Sequence, residues 1–569
     1  MRLARAAVAA PLLLALLPAA PSNAGEPTMP LRDVRAGMHC TGASVVRGTT
    51  ISSFAVEVLD VIAGDPAFGR PRILVRVSGA AVPGGIGPGF SGSPVYCRDA
   101  ASVRRNIGAI SEGVGDYGNS VALVTPIEEM LGESPTPPRS ARYDPELRRS
   151  ARPLTGPLTA TGLSTRARRL LIRAGHRAGI SVLAVPAGPL GGYPVQTLRP
   201  GAAVTAAFAT GDVALGAVGT VAYRDGSNVW AFGHSIEAAG PRAEFLQDAY
   251  VFGVIPNPIG SPDLGLGTYK LATSGGHTVG IVTNDADSAA VGRVGNGPPT
   301  IRLEASARER GTRTASFVDG LLADERSLGL GAGASITAPL AITQAVDQVT
   351  HSFAPVTLSM CVRFRVRERR RRLGFCNDYF SLDDAAVQLT DAAALVESYD
   401  FSPVTLQEIT ARANLTRGVK REVLLRGRAP RRVRPGQRIR LRLVVHRRGS
   451  GAKRRLTIRM RLPRSLRRGR RTLLLTGTGT GVDEEADEEL SLELLSALGE
   501  EGAEPPSEGP PEVRSLGELA SRVSAFHRGL GITARFRRRG RRRLVHESDQ
   551  VAFEGTVRVP LRVVRRRRR

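Results

Sequence analysis

The run Gly84-Gly85-Ile86-Gly87-Pro88-Gly89-Phe90-Ser91-Gly92-Ser93-Pro94-Val95-Tyr96 decides how the chain is read. Glycine adopts positive φ at little cost, so glycines flanking a serine let the backbone turn sharply and expose the hydroxyl. Such a turn also aims neighbouring N–H groups into one pocket, where they can hold an oxyanion. Here the donors would be the N–H groups of Gly89 and Ser91. The loop then feeds into an apolar strand, Val95-Tyr96-Cys97. Taken bare, the hexapeptide Gly89 to Pro94 is also compatible with an ordinary Gly/Ser turn.

On either side of this loop the sequence is strand-like. Ser53-Phe54-Ala55-Val56-Glu57-Val58-Leu59 and Arg72-Ile73-Leu74-Val75-Arg76-Val77 alternate with period two, the mark of half-buried strands. Residues 25–135 therefore read as a strand-rich unit that bears the serine. Residues 136–165 read as a linker rich in Pro, Ser, Thr and Arg, with a short helix from about Thr165 to Ala174. Strand and turn signals return from Pro200 to Pro299, within a histidine-bearing unit at 166–300, and 301–400 is mixed α/β. Residues 401–481, with Ile439-Arg440-Leu441-Arg442-Leu443-Val444-Val445, suggest a small β-sandwich. An acidic, Pro-rich linker spans 482–512. A basic α/β unit covers 513–569, with Leu516, Leu519, Val523 and Phe526 at helical spacing.

Composition narrows the class. Hydrophobic content is 42% and aromatic content only 5%, with 64 Gly and 38 Pro, a mix that favours short strands and turns. Residues 1–24 have a basic start at Arg2 and Arg5, an apolar stretch, and Ser22-Asn23-Ala24 before a cleavage point. This is the pattern of a secretion signal. It implies a secreted or cell-envelope-associated protein. Four cysteines, Cys40, Cys97, Cys361 and Cys376, fit disulfides in such a setting, although spacing leaves their pairing open. The net charge of +27 raises nucleic-acid binding, but no zinc finger, RRM or helix-turn-helix signature accompanies it. The arginine-rich C-terminal region points instead to anionic cell-envelope polymers or lipid head groups. No HExxH or clustered Cys/His spacing supports a metal, and no cofactor is implied.

A serine nucleophile needs a base. His234, in Val229-Trp230-Ala231-Phe232-Gly233-His234-Ser235-Ile236, ends an apolar strand beside a glycine, a position at a strand rim. His39, His176, His277, His351, His446, His527 and His546 lack that setting. Asp285, ending Ile281-Val282-Thr283-Asn284-Asp285, is the candidate for holding the imidazole, with Asp116, Asp212, Asp225 and Asp248 as alternatives.

These segments resemble the SpoIVB-type serine peptidases and their exported relatives. Gly84 to Tyr96 is similar to that family's G-G-I-x-x-G-M-S-G-S-P-[IV], with Phe90 in place of Met. Ile107-Gly108-Ala109-Ile110 and Val124 to Leu131 resemble its next strand and helix. Gly211-Asp212-Val213, Gly219-Thr220-Val221 and Ala231-Phe232-Gly233-His234 resemble the segment that holds its histidine. The resemblance implies a mainly β fold with a trypsin-like double β-barrel core. It also implies catalytic roles for Ser91 and His234, acting on protein or peptide substrates. Two departures stand out: Ser91 precedes His234 in the chain, and Val77-Ser78-Gly79-Ala80 lacks the family's acidic residue. The expected function is an exported serine endopeptidase. The alternative is a non-catalytic envelope scaffold that keeps the fold.

Overall fold

Period-two alternation is realised as strand after strand. In a computed structural model of the chain, the described residues are 25–64, 69–114, 119–137, 158–177, 182–185, 192–257, 268–352, 354–478, 513–526, 529–536 and 543–564. The expected secretion signal and the acidic linker at 482–512 lie outside the described residues. The first six strands are β1 (His39–Arg47), β2 (Thr50–Ile62), β3 (Arg72–Ser78), β4 (Pro94–Arg98), β5 (Arg104–Gly113) and β6 (Val121–Pro126). They close into a barrel in the order β1-β2-β3-β6-β5-β4. Alternate residues such as Ile73, Val75 and Val77 point inward, where they meet Phe54, Phe90 and Ile107. Closure leaves no free strand edge. Helix α1 (Ile127–Gly132) follows directly.

A second barrel is built from β9 (Ala203–Gly211), β10 (Ala214–Asp225), β11 (Asn228–Ala231), β12 (Gly240–Asp248), β15 (Thr278–Ala286) and β16 (Ala289–Val294), following β7 (Leu158–Thr161) and β8 (Val182–Val185). The pairing order is β9-β12-β15-β16-β11-β10, and β10 returns to β9 to close the ring. Its core is made of small side chains, chiefly Ala and Val. The protein is thus mainly β with a double-barrel centre. A separate hairpin, β13 (Val251–Ile255) with β14 (Tyr269–Ala272), leaves the second barrel and reaches β1 of the first through a Gly48–Val251 bridge.

The second barrel is also part of a larger sheet. β7 and β8 extend it beyond β10. β17 (Thr300–Glu309), β18 (Ala315–Ala323), β19 (Val356–Val366), β20 (Leu373–Tyr379) and β21 (Leu406–Arg417) extend it beyond β9. Helices α2 (Thr165–Arg177), α3 (Ala334–Thr350) and α4 (Leu382–Glu397) contribute to the layer covering this extension, with Leu340, Ile342, Val346 and Leu389 in its core. No helix among the described residues is long and apolar enough to cross a membrane.

The sandwich is assembled differently from its expected bounds of 401–481. Its first sheet joins β22 (Lys420–Arg428), β24 (Arg438–Arg447), β25 (Lys453–Arg461) and β29 (Val551–Glu554). Its second joins β23 (Arg432–Val433), β26 (Gly469–Gly477), β27 (Gly531–Arg535), β28 (Arg543–Glu547) and β30 (Thr556–Val563). The strands of 513–569 therefore complete the sandwich rather than form a unit of their own. β21, assigned to the sandwich from sequence, lies between β17 and β19 instead. Helix α5 (Leu516–Ala525) buries Leu519 and Val523 in the helix-covered core of the large sheet, not in the sandwich. Alternation identifies a strand but carries no record of its partner, which explains the misplaced boundaries. β7 likewise falls inside the stretch expected to be linker.

Both disulfides join neighbouring strands. Cys40–Cys97 ties β1 to β4, and Cys361–Cys376 spans the β19–β20 rung on which the two residues face each other.

Candidate functional site

The glycine-rich loop enters the first barrel through Phe90, which is fully buried in its core. Gly89 and Gly92 both sit at φ +91, a conformation that L side chains rarely adopt. At Gly92 space is also closed: a Cβ there would lie 1.9 Å from Thr220 O and 2.5 Å from Phe232 N. Between them Ser91 is half-buried. Phe90 N–H donates to Gly87 O and Gly92 N–H donates to Ile110 O. The N–H groups of Gly89 and Ser91 meet no acceptor among the described residues. These are the two donors that the sequence singled out.

His234 arrives from the second barrel. β11 ends at Ala231, and the chain then turns through two consecutive left-handed residues, Phe232 at φ 68 and Gly233 at φ 73. A buried phenylalanine in that conformation costs about 1–3 kcal/mol, which the surroundings must hold in place. The Gly233 carbonyl accepts from Thr125 Oγ1 at 2.7 Å, an anchor supplied by the other barrel. His234 is 4% exposed, and its Nδ1 lies 2.6 Å from the carbonyl oxygen of Ser235. A carbonyl only accepts, so the proton sits on Nδ1 and Nε2 keeps its lone pair. Burial pushes the imidazole below its ordinary value, against the opposing pull of the Ser235 carbonyl, Asp285 and Glu112. The ring is therefore neutral near pH 7.

Thr220 of β10 brings the two segments together. Its N–H donates to Ser91 O at 2.8 Å, and its own carbonyl accepts from Phe232 N at 3.2 Å. The backbones of Ser91–Gly92 and Phe232–Gly233 thus lie on either side of one residue. No hydrogen bond joins the Ser91 hydroxyl to His234. Catalytic hydrogen bonds often tighten only when substrate binds.

Asp285 occupies a different position from the one expected. It is 1% exposed, and its carboxylate accepts from the backbone N–H groups of Ile236 (2.6 Å), Glu237 (2.7 Å) and Ala239 (3.2 Å). No hydrogen bond joins it to the imidazole. Burial raises its carboxyl, with Arg242 and the N–H donors acting in the opposite sense. Asp285 shapes the loop after His234, while the Ser235 carbonyl holds the tautomer. Arg242 secures the same region by pairing with Glu237 at 2.6 Å, Glu325 at 3.0 Å and Glu244. The carboxylate–imidazole pair in this barrel is Asp248–His277, at 2.9 Å, with Tyr193 also donating to Asp248. Asp248 lies at the opposite end of β12 from Gly240, the residue facing Asp285. Asp212 instead accepts from Asp319 N–H, and Asp116 lies outside the described residues.

One residue of this neighbourhood was missed from sequence. Lys270 of β14 is 2% exposed. Its Nζ lies 2.7 Å from Ser44 Oγ, 2.9 Å from Thr220 Oγ1 and 4.6 Å from the centre of the Phe90 ring. No carboxylate faces it. Burial alone pushes the amine down to about 7. Thr220 Oγ1 in turn donates to Gly89 O at 3.0 Å, and Lys270 N–H donates to Pro88 O at 3.0 Å. Ser44 meets Ser93 at 2.8 Å. This buried network underpins the serine loop from below. The available signal was usage: lysine occurs three times among 79 basic side chains, and one of the three stands in the short strand Tyr269-Lys270-Leu271-Ala272.

Among the described residues no cluster of His, Cys, Asp and Glu has the arrangement needed to hold a metal ion. No family model, no curated protein and no solved structure matches the chain.

Proposed function

We propose that the chain is an exported serine endopeptidase of the SpoIVB type, with Ser91 as nucleophile and His234 as general base. One observation carries the reading: Thr220 hydrogen-bonds both the serine loop and the histidine turn, beside two N–H groups that meet no acceptor among the described residues. His234 Nε2 takes the Ser91 proton as Oγ attacks a peptide carbonyl. The Gly89 and Ser91 N–H groups hold the resulting oxyanion, worth about 3–4 kcal/mol for a single donor. The imidazolium then protonates the leaving amine, and the peptide C–N bond breaks. Water, deprotonated by the same imidazole, hydrolyses the acyl-enzyme and returns the serine hydroxyl. Two disulfides and the sequence of residues 1–24 support an oxidising, extracytoplasmic setting.

The test is labelling with a fluorophosphonate probe, which reacts with activated serines. Labelling is expected in the full chain and should disappear in Ser91→Ala and His234→Ala. The missing Ser91–His234 hydrogen bond, and Asp285's engagement with backbone alone, favour a second reading. In it the chain is a non-catalytic envelope scaffold. Folded protein that stays unlabelled between pH 6 and 9 would establish that alternative.

A further inference from the structure

Strands β22, β24 and β25 place arginine opposite arginine at three alternate positions of β24, two on its β25 side and one on its β22 side. Arg438 faces Arg461, Arg440 faces Arg459, and Arg442 faces Arg428. All six are exposed, and alternation puts the central three on one side of β24. None of them forms an ion pair. The carboxylates of this sheet, Glu422 and Glu554, are buried and engaged by Arg421, Arg447, Arg448 and Arg454. Like charges directly opposite each other oppose strand pairing, so the apo sheet carries a standing repulsion that bound anions would relieve. Guanidinium groups in such rows suit phosphate, which they can grip through two parallel N–H bonds.

We propose that this face binds a linear polyanion whose phosphate charges repeat along a flexible chain, of the poly(glycerol phosphate) kind. Two observations select that partner. The exposed positions of β22, β24 and β25 include no aromatic side chain on which nucleic-acid bases would stack. The opposite sheet of the sandwich carries one such pair, exposed Arg470 facing exposed Arg562. A flexible polymer can reach both sheets, whereas a planar bilayer meets only one. The proposal is independent of the roles of Ser91 and His234.

The test is titration of the full chain with soluble poly(glycerol phosphate) at several salt concentrations. Arg438→Gln/Arg440→Gln/Arg442→Gln should weaken binding by about tenfold or more and flatten the log K against log salt slope by about 2. A control set on the large sheet, Arg363→Gln/Arg365→Gln/Arg412→Gln, removes the same charge and should change affinity by less than about twofold. The first set relieves repulsion, so its melting temperature should not fall. Equal weakening by both sets would reduce the effect to net charge and overturn the proposal. So would tighter binding, at equal phosphate, to phosphatidylglycerol vesicles or to a single-stranded oligonucleotide. A large gain in affinity on deleting the acidic stretch 483–512 would overturn it as well, because the chain would then supply the occupant.

Discussion

The two barrels share a strand number and differ in how they hold the candidate residue that each carries. The serine barrel has a bulky core of Phe54, Phe90, Ile73 and Ile107, is stapled by Cys40–Cys97, and frees its loop with left-handed glycines. The histidine barrel has an alanine- and valine-rich core and holds its turn with a left-handed phenylalanine. Around its turn, a buried carboxylate is directed at backbone N–H groups. In the first barrel, the packing of Phe90 and the buried network around Lys270 and Thr220 fix the loop and leave the Gly89 and Ser91 N–H groups without an acceptor among the described residues. In the second, polar groups are consumed in fixing the turn, and the imidazole is held by a carbonyl. The contrast teaches that a strand-end histidine can be oriented without a carboxylate partner, provided that the following loop is pinned.

The strongest way to break this comparison is to close the gap between the barrels. Gly92→Ala adds a Cβ at positive φ against Thr220 O and should cost more than about 4 kcal/mol, read by chemical denaturation. Next comes the staple. Cys40→Ala/Cys97→Ala opens a 57-residue loop and should cost about 4 kcal/mol, against about 3 for the 15-residue Cys361–Cys376 loop. Near-equal losses would mean that the first barrel does not depend on its staple as proposed.

Lys270 offers a sharper probe. Its folded value of about 7 lies far below the ordinary lysine value of 10.5. Between those values the unfolded chain binds the extra proton, so the lysine's contribution to stability rises with pH. That contribution is complete above the unfolded value and is lost as pH falls to about 7. From pH 7 to pH 9 the full chain should gain about 2–3 kcal/mol relative to Lys270→Met. Parallel curves for the two proteins would show that the amine is not desolvated. Asp285→Asn should cost about 2 kcal/mol by weakening charge-assisted bonds to three N–H groups. The smallest effect concerns His234. Its depressed value predicts that labelling persists below pH 6.5, and an acid limb at or above 6.5 would contradict a buried imidazole.

Much of the centre was legible in sequence because local rules govern it. Alternation marked β2, β3 and β24, and helical spacing found α5. The glycine loop announced its own sharp turn, and its two singled-out N–H groups do lack acceptors. What stayed hidden was long-range. Nothing local says that β21 pairs with β17 in parallel, or that β29 joins β22 across more than a hundred residues. Asp285 was chosen because it ends a strand, yet which donors a strand-end carboxylate meets depends on the neighbouring loop. Lys270 was overlooked because a lysine in a short alternating strand normally faces water.

The sandwich closes late. β22 and β26 pair with β29 and β30, so both sheets wait for residues 551–563 before their rungs are complete. Helix α5 belongs to the core of another sheet, so the polypeptide must leave the sandwich and come back. A ribosome delivering this chain would expose arginine-rich strands with unsatisfied edges for the whole time it takes to make the intervening segment. Those strands repel one another, and that mutual repulsion would keep nascent copies from zipping together before their own partners arrive.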